Sequence, residues 1–225
     1  MRNPFTDPTI AETYESWYTT SLGQAVAQAE KAALLGLAEL RSGETALDVG
    51  CGTGHFTQML AEAGAQATGC DVSEAMLQQA ARTRQELRWQ LADARELPYA
   101  DATWDLVLSV TMLEFVEEPA RALDEMWRVL APGGRLVVAV LQVDTPWHAL
   151  YTRQAQQGPS PFAMAHFYGR DELGAYLQGY GKPHLTTAVH FSPDGRPPRC
   201  LALVESWGRL TRPSQAAMLV GRVSK

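Results

Sequence analysis

Cysteine, long apolar runs and signal-like segments are all scarce in this chain. Its three cysteines, Cys51, Cys70 and Cys200, are too few for a disulfide framework, and none lies in a CxxC spacing. The longest tight apolar stretch, residues 136–141, is far shorter than the roughly 20 residues that cross a bilayer. The N-terminus has no apolar segment that could act as a signal peptide. We therefore expect a cytoplasmic protein with reduced thiols and no membrane partner.

Metal-binding patterns and positive charge are also lacking. The five histidines are dispersed, with no HxH or HExxH pattern, so we expect no metal site. The 19 Lys and Arg face 25 Asp and Glu, and the net charge of −6 argues against a nucleic-acid partner. Residues 193–225 are the exception, with six basic residues against two acids. That segment could contact phosphate or an acidic substrate, although a solvated surface explains it more simply.

The remaining composition is that of one globular domain. The chain has 225 residues, of which 46% are hydrophobic and 20% charged, enough for a sizeable core but too short for two ordinary domains. No repeat or low-complexity tract divides it.

Short apolar strands alternate with helices as far as residue 143. A long Ala- and Leu-rich helix, residues 21–40, comes first and could be capped by Ser21. Ser73 is the predicted cap of a later helix that runs to about residue 85. The predicted strands cover residues 45–49, 67–70, 87–92, 104–110 and 135–143. This alternation indicates βαβ units and a parallel sheet with helices on both faces, an α/β fold.

The pattern changes after residue 143. Residues 144–170 are rich in aromatic residues, Gly and Pro, and a short helix is predicted at 171–177. Two strand candidates follow, at residues 185–191 and 200–207, joined by a loop rich in Pro and Gly. We expect these two strands to form an antiparallel hairpin at one edge of the sheet.

A glycine-rich loop, LDVGCGTGHFT, follows the first strand. Asp48 ends the strand, and the three glycines are Gly50, Gly52 and Gly54. Glycines here let the chain turn sharply and let a ligand lie on the backbone, beside helix N-terminal amides. His55 stands where the dinucleotide fingerprint GxGxxG needs its last glycine, which argues against a nicotinamide dehydrogenase.

Acidic residues also end the next two strands. Asp71, after the second strand, could accept hydrogen bonds from both hydroxyls of a ribose. Asp93, after the third, could accept from the exocyclic amine of a purine while the Ala94 N–H donates to a ring nitrogen. Each aspartate alone is more often a cap or turn residue. Together, at the carboxyl ends of consecutive strands, they predict a site shaped for a nucleoside.

Four motifs in this order resemble the class I S-adenosylmethionine (SAM)-dependent methyltransferases, in particular the type 11 branch that acts on small molecules. The motifs are DVGCGTG, the acid at Asp71 followed by Ser73 and Met76, LADARELPYADATWDLVLSV, and VLAPGGRLVV. The resemblance covers about residues 44–143. It implies a Rossmann-like, doubly wound sheet of seven strands between two helical layers, mostly parallel with the last strand antiparallel. It also implies SAM as cofactor and S-adenosylhomocysteine (SAH) as product.

The same resemblance implies a division of the single domain, residues 1–225. A helical lid would occupy residues 1–43 and the cofactor-binding core residues 44–143. An acceptor-site insert would follow at 144–184, and antiparallel strands at 185–225.

Roles for the loop and the ribose follow from the resemblance. Gly50, Gly52 and Gly54 would hold the methionyl part of SAM. Asp48 would support the loop and the amino group of the cofactor. Asp71 would hold the ribose diol.

Further cofactor contacts are implied in the same way. Asp93 and Ala94 would hold the adenine, and Val72 and Met76 would pack on its faces. Thr111, after the fourth strand, would face the sulfonium, with the neighbouring Met112 as an alternative.

An aromatic segment near the N-terminus, YESWYTTSLG, resembles the lid that family members place over the cofactor. Tyr14, Trp17 and Tyr18 are its aromatic residues, and Tyr18 is the expected cofactor contact. Ordinary core packing would explain Tyr18 equally well.

The sequence shows no catalytic constellation. Methyl transfer from a sulfonium needs alignment and exclusion of water, and it needs a base only if the acceptor arrives protonated. Two candidates for such a base are His166, in the aromatic segment 147–168 expected to line the acceptor pocket, and Glu114, after the fourth strand. A hydrogen-bonded histidine and a helix-start acid are the simpler explanations. His55 could also line the cavity.

Three hypotheses of function remain. The first is SAM-dependent methyl transfer to a small-molecule acceptor by in-line displacement, with catalysis mainly by positioning. The second, an RNA or protein methyltransferase, is supported only by the basic residues 193–225; no (N/D)PP(Y/F) or Pro-Cys signature of nucleobase methylation follows strand four. The third is a module that binds SAM or SAH without turnover. A monomer and a homodimer are equally compatible with the sequence.

Overall fold

The computed structural model describes residues 4–194 and 198–225. Within them, the strands are β1 (Thr45–Val49), β2 (Gln66–Asp71), β3 (Arg88–Leu91), β4 (Trp104–Val110), β5 (Leu130–Leu141), β6 (His184–Ala188) and β7 (Met218–Ser224). The α-helices are α1 (Pro8–Thr19), α2 (Ser21–Ala38), α3 (His55–Glu62), α4 (Glu74–Thr83), α5 (Pro119–Val129), α6 (Pro146–Gln157), α7 (Arg170–Gln178) and α8 (Leu201–Thr211).

The strands form one sheet in the order β3-β2-β1-β4-β5-β7-β6. The first five are parallel, and β7 is antiparallel to both of its neighbours. The predicted doubly wound α/β fold with an antiparallel last strand is therefore confirmed. The strand order reverses between β1 and β4, and ligands of such sheets bind in the crevice at the carboxyl ends of the strands at this point.

The core lies on both faces of the sheet because alternate residues of the central strands point to opposite sides. Leu106 and Leu108 of β4 pack in the layer that contains α2 and α3. Val107, between them, packs in the layer that contains α5 and α7. The sheet is thus covered on both faces, as the near-continuous apolar strands indicated.

Side-chain caps begin two of the helices that lead to the crevice. Thr20, rather than the predicted Ser21, caps α2, since its Oγ1 accepts the Gly23 N–H at 2.9 Å. Ser73 caps α4 as predicted, accepting from the Met76 N–H at 3.2 Å. Its hydroxyl also donates to the Phe5 carbonyl at 2.6 Å and so fastens the N-terminal segment to the core.

The predicted C-terminal hairpin is wrong. Residues 200–207 belong to α8, and β7 pairs with β5 and β6 instead. The helix places the Glu205 carboxylate where it accepts the backbone N–H groups of Val189 at 3.0 Å and His190 at 2.7 Å. A short apolar segment can form a strand or a helix, and sequence alone does not distinguish them. Here the contacts of Glu205 with Val189 and His190 accompany the helix.

The basic residues of the C-terminal segment take part in internal contacts. Arg222 pairs with Glu39 at 2.8 Å, and the Lys225 Nζ donates to the Trp127 carbonyl at 2.7 Å. Arg222 is therefore partly buried, whereas Lys225 is exposed, as expected of a solvated surface. Within residues 4–194 and 198–225, no helix is both long and apolar enough to cross a membrane.

Candidate active site

A pocket of about 210 Å³ opens at the carboxyl ends of β1, β2 and β4 and is covered by the N-terminal segment. Nine residues predicted to contact the cofactor line it: Tyr18, Gly50, Gly52, Asp71, Val72, Met76, Asp93, Ala94 and Thr111. Met112 lines it as well. The fold therefore brings together residues that lie almost a hundred positions apart in the sequence.

The glycine loop forms the floor of the pocket. Gly50 has a φ of 75° and Gly52 a φ of 53°, in the left-handed region that favours glycine. A Cβ on Gly50 would lie 2.2 Å from the Met112 Cγ, whereas a Cβ on Gly52 would meet nothing within 4 Å. Gly52 thus faces the open space of the pocket, and a ligand can approach its backbone closely.

Asp48 and Gly54 are near the pocket but are not among its lining residues. The Asp48 carboxylate is buried and accepts the Thr57 hydroxyl at 2.7 Å, and burial raises its pKa to about 7. Gly54 precedes α3 with a φ of 88°, and a Cβ there would lie 2.3 Å from the Trp89 ring. Both residues shape the loop from outside the pocket.

Asp71 is held by backbone amides on both of its carboxylate oxygens. One accepts the Gly52 N–H and the other the Ser73 N–H, each at 2.8 Å. Burial raises the pKa of this carboxyl, and the backbone hydrogen bonds oppose that effect. Because each oxygen has two lone pairs, both can still accept a hydrogen bond from a ligand diol.

Asp93 forms a two-pronged ion pair with Arg95. The Arg95 Nη2 lies 2.7 Å from the Asp93 Oδ2, and the Arg95 Nε lies 3.0 Å from the Oδ1. The guanidinium lowers the pKa of the carboxyl and keeps it an acceptor. Arg95 was not predicted as part of the site, although an arginine two residues after the acid is a visible signal.

Aromatic side chains cover the pocket. Phe5 packs edge-on against Phe115, with 4.8 Å between ring centroids, and Tyr14 packs edge-on against Phe5 at 6.2 Å. Tyr18 stacks on His55 at 4.1 Å. Phe5 and Phe115 were not predicted, since nothing in the local sequence shows that residues so far apart meet.

His55 also lines the pocket, and it is neutral near pH 7. Burial lowers its pKa to about 4, with smaller contributions from the positive charges of Lys31 and Arg84. Its Nε2 is buried and has no hydrogen-bond partner in the described part of the chain. This nitrogen is therefore available to a bound molecule.

The two predicted base candidates are not among the residues that line the pocket. His166 is largely exposed, and its Nε2 lies 2.7 Å from the Glu172 Oε1. Glu114 is only 2% exposed, its Oε1 accepts the Leu141 N–H, and burial raises its pKa to about 8. Among residues 4–194 and 198–225, no group of three or more metal-ligand side chains occurs.

Comparison with known proteins places this geometry in context. Residues 47–138 match the family described as a methyltransferase domain. The chain is 39% identical over 127 residues to the demethylmenaquinone methyltransferase of Beutenbergia cavernae, covering 56% of this chain and 53% of that protein. It is 34% identical over 108 residues to the malonyl-[acyl-carrier protein] O-methyltransferase of Serratia marcescens, covering 48% and 42%. The chain thus spans about half the length of the curated relatives it matches.

A solved structure from Thermotoga maritima shares the fold. It is described as an SAM-dependent methyltransferase and possible histamine N-methyltransferase. The two chains superpose with a TM-score of 0.73 over 98% of each, at 23% sequence identity.

Proposed function

We propose that this protein is a SAM-dependent methyltransferase and transfers the methyl group of SAM to a small-molecule acceptor. The match of residues 47–138 to a methyltransferase domain supports the proposal. The names of the two curated relatives support this proposal. One is named a demethylmenaquinone methyltransferase and the other a malonyl-[acyl-carrier protein] O-methyltransferase. The product of the cofactor would be SAH.

One observation carries the proposal: the glycine loop, Asp71 and Asp93 converge on a single pocket. The open space beside Gly52 suits the methionyl part of SAM, because a ligand there can contact the backbone directly. The two carboxylates stand at the ends of neighbouring strands and offer acceptors to a ribose and to an adenine. These residues therefore fit an adenosyl cofactor.

The individual roles follow from position. Asp71 would accept the ribose hydroxyls, and Asp93 would accept the adenine amine while the Ala94 N–H donates to the ring. Val72 and Met76, which line the same part of the pocket, would pack on the adenine faces. These assignments extend the predictions from sequence.

The remaining predicted contacts concern the reactive end and the loop. Thr111 has a φ of 48° and lines the pocket directly after β4, so we place it beside the sulfonium. Tyr18 would cover the cofactor from α1. Asp48 and Gly54 would hold the shape of the loop without direct contact.

Catalysis would rest on positioning. When bound, SAM supplies a methyl group on a positively charged sulfur, which needs no further activation. Phe5, Tyr14 and Tyr18 would exclude water from the pocket, and the strand ends would align the reactants. Glu114 would act as a positioning residue, since it holds the Leu141 N–H at the end of β5. We assign no step to His166.

Calorimetric titration with SAM, SAH and NADH tests the proposal. We expect micromolar binding of SAM and SAH and none of NADH. Asp71→Ala removes the ribose acceptor and the anchor of Gly52, so the affinity for SAH should fall by about 100-fold. Asp101→Ala, which changes an exposed aspartate that pairs with Arg128, is the matched control and should bind normally.

The opposite results would refute the proposal. Wild-type protein that binds neither SAM nor SAH would leave only a Rossmann-like domain without an assigned ligand. Binding of SAM without any single-turnover transfer of its methyl group would favour a module that binds the cofactor without turnover.

A further inference from the structure

The outward side of α8 carries an apolar face. Leu203, Trp207 and Leu210 form this face, and they are 71%, 64% and 83% exposed. Their spacing of i, i+4 and i+7 places them on one side of the helix. The other exposed residues of α8, at positions 202, 206 and 211, carry no charge. A surface helix normally turns polar residues to water, so a cluster of large apolar side chains here indicates a contact surface.

Contacts on the opposite side of α8 fix this orientation. Glu205 accepts the Val189 and His190 N–H groups, and its Oε2 also lies 2.9 Å from the His190 Nδ1. A Cβ on Gly208 would lie 2.3 Å from the His190 Cβ, so a glycine is needed for the helix to approach this closely. A rotation of α8 that buried the apolar face would break these contacts. The apolar face is therefore held outward.

The exposed charges around the apolar face are positive. Residues 199–215 contain a single acid, Glu205, and it is buried. Arg199 precedes the helix, Arg212 follows it, and both are exposed. Arg209 has 34% of its side chain accessible and lies 3.9 Å from Glu205. The apolar face thus has an exposed cation beyond each end, although the whole chain carries a net charge of −6.

α8 lies at the end of the strands where the candidate pocket opens. Met218 of β7 pairs with Leu141 at the end of β5 and with Ala188 at the end of β6. Residues 189 and 190, which Glu205 holds, follow directly after β6. β3 is the outermost strand on the other side of the sheet from β6. Residues of β3 are therefore suitable controls for substitutions in α8.

An anionic lipid surface fits both the apolar and the charged features of α8. A helix that lies in a membrane interface inserts Leu and Trp side chains among the lipids, while Arg and Lys contact anionic headgroups. Tryptophan is also enriched at the boundary between lipid and water. A second copy of the chain fits less well, since an ordinary protein interface involves roughly 20–30 residues from each partner. Pairing two copies of the apolar face would also bring like charges together.

We propose that α8 docks on an anionic lipid surface, with Leu203, Trp207 and Leu210 among the lipids and Arg199 and Arg212 at the headgroups. Docking of this kind needs no membrane-spanning helix, and none is found in the described part of the chain. It would replace the expectation of no membrane partner, which was based on the lack of a spanning or signal segment. Docking is independent of the identity of the acceptor and of methyl transfer.

Co-sedimentation of the full chain with lipid vesicles tests the proposal. We expect binding to vesicles of phosphatidylglycerol and phosphatidylcholine to be stronger by about tenfold or more than binding to vesicles of phosphatidylcholine alone. Salt screens the attraction between exposed charges, so high salt should reduce this difference.

A variant without the apolar face should lose the binding. Leu203→Gln, Trp207→Gln and Leu210→Gln together should lower affinity for the anionic vesicles by about tenfold or more. Glutamine has nearly the helix propensity of leucine and all three positions are exposed, so the fold should be retained. Leu91→Gln changes a leucine of β3 that is 53% exposed, and this matched control should bind as wild type does.

The contribution of the cations is tested separately. Arg199→Gln combined with Arg212→Gln should weaken binding to the anionic vesicles by about five- to tenfold and make it less sensitive to salt. Binding to phosphatidylcholine alone should not change. Arg88→Gln, at an exposed position of β3, is the matched control and should leave both affinities unchanged.

Cys200 offers a probe beside the apolar face. It is exposed and directly precedes α8, whereas Cys51 and Cys70 are buried, so a thiol-reactive fluorophore should label it selectively. Emission from a polarity-sensitive label should shift to shorter wavelength with anionic vesicles and not with phosphatidylcholine alone. This measurement distinguishes docking through α8 from binding elsewhere on the protein.

Equal binding to the two kinds of vesicle, or binding to neither, would overturn the docking proposal. Binding that survives in the folded triple glutamine variant, or a label that does not respond when vesicles bind, would overturn it as well. A dimer in sedimentation velocity that the triple variant lacks, without vesicle binding, would assign the apolar face to a contact between copies. Titration with SAH keeps the two proposals apart, because loss of vesicle binding with normal SAH binding refutes docking alone.

Discussion

The two ends of the pocket differ in how their polar groups are paired. At the strand ends, Asp71 accepts two backbone N–H groups and Asp93 is paired with Arg95. At the end covered by α1, the buried His55 Nε2 has no partner among the described residues. The Glu30 carboxyl of α2, which is buried but does not line the pocket, forms no hydrogen bond with the described residues either. The first end is preorganised for a ligand whether or not one is bound. The second end requires a ligand to satisfy its polar groups.

This difference has an energetic consequence. Paired groups at the cofactor end stabilise the loop and should make substitutions there costly for both folding and binding. Unpaired buried groups such as the Glu30 carboxyl destabilise the fold, so their removal should raise the free energy of unfolding. Substitutions in the two ends should therefore change stability in opposite directions.

The largest effect is expected at Gly50. Gly50→Ala combines a left-handed φ with a Cβ placed 2.2 Å from the Met112 Cγ. We expect the free energy of unfolding to fall by about 3 kcal/mol and the affinity for SAH to fall by about 100-fold or more. Urea unfolding and calorimetric titration measure the two effects.

Gly52→Ala is the matched comparison for Gly50→Ala. It shares the left-handed φ, but its Cβ would project into open space. We expect a stability loss of only about 1 kcal/mol with a clear loss of SAH affinity. Equal stability losses in the two variants would contradict the difference in Cβ space between the two glycines. Unchanged SAH affinity in Gly52→Ala would contradict the assignment of this open space to a ligand.

Glu30→Gln should give the next largest effect, with the opposite sign. The folded-state pKa of about 8 exceeds the ordinary value of 4.5, so the folded chain binds more protons between these values and stability falls as pH rises. Glutamine does not titrate, so the variant should match wild type at pH 5. At pH 8 it should be more stable by roughly 2 kcal/mol. Urea unfolding across this range is the measurement, and a variant less stable than wild type at pH 8 would reveal a stabilising partner.

Ser73→Ala should have an intermediate effect. Loss of the cap on α4 should cost about 1 kcal/mol. The variant also loses the hydrogen bond to the Phe5 carbonyl, so SAH affinity should fall by a few-fold. Thr20→Ala removes the cap of α2 and should lower the free energy of unfolding by a similar amount without affecting SAH binding. Equal SAH affinities in the two variants would show that the hydrogen bond between Ser73 and the N-terminal segment does not contribute to cofactor binding.

The smallest effect is expected for Arg95→Gln. The pair with Asp93 is partly exposed, with 33% and 39% of the two side chains accessible, and such pairs contribute little. SAH affinity should fall by about two- to five-fold at low salt and less at high salt. A loss as large as that in Asp71→Ala would mean that Arg95 contacts the cofactor itself.

Local patterns were sufficient to predict the part of the fold that carries the cofactor site. β1 and β4 have the bounds predicted from sequence, because each is an apolar run ended by turn residues. Ser73 was a visible cap, and the glycine spacing with Asp71 and Asp93 was readable without a structure. These features depend on residues within a few positions of one another.

The C-terminal end shows where such patterns fail. Residues 200–207 are apolar enough to form a strand or a helix. The helix is the form that lets Glu205 accept the backbone N–H groups of Val189 and His190, directly after β6. The true last strand, β7, was missed because residues 200–207 were assigned as the partner of β6, a place that β7 occupies in the structure. The apolar run at residues 218–220 was a visible strand signal, but the insertion of β7 between β5 and β6 depends on tertiary contacts.

The sequence by itself determined the α/β alternation, the glycine loop, the acids that follow β2 and β3, and the resemblance of residues 44–143 to methyltransferases. Only the tertiary structure decided that Phe5 would meet Phe115, that β7 would separate β5 from β6, and that Glu30 would act on Tyr14 and Tyr151. The reason is physical. Turns, caps and strand ends follow from neighbouring residues, whereas the burial of an unpaired carboxyl depends on which distant helices pack around it.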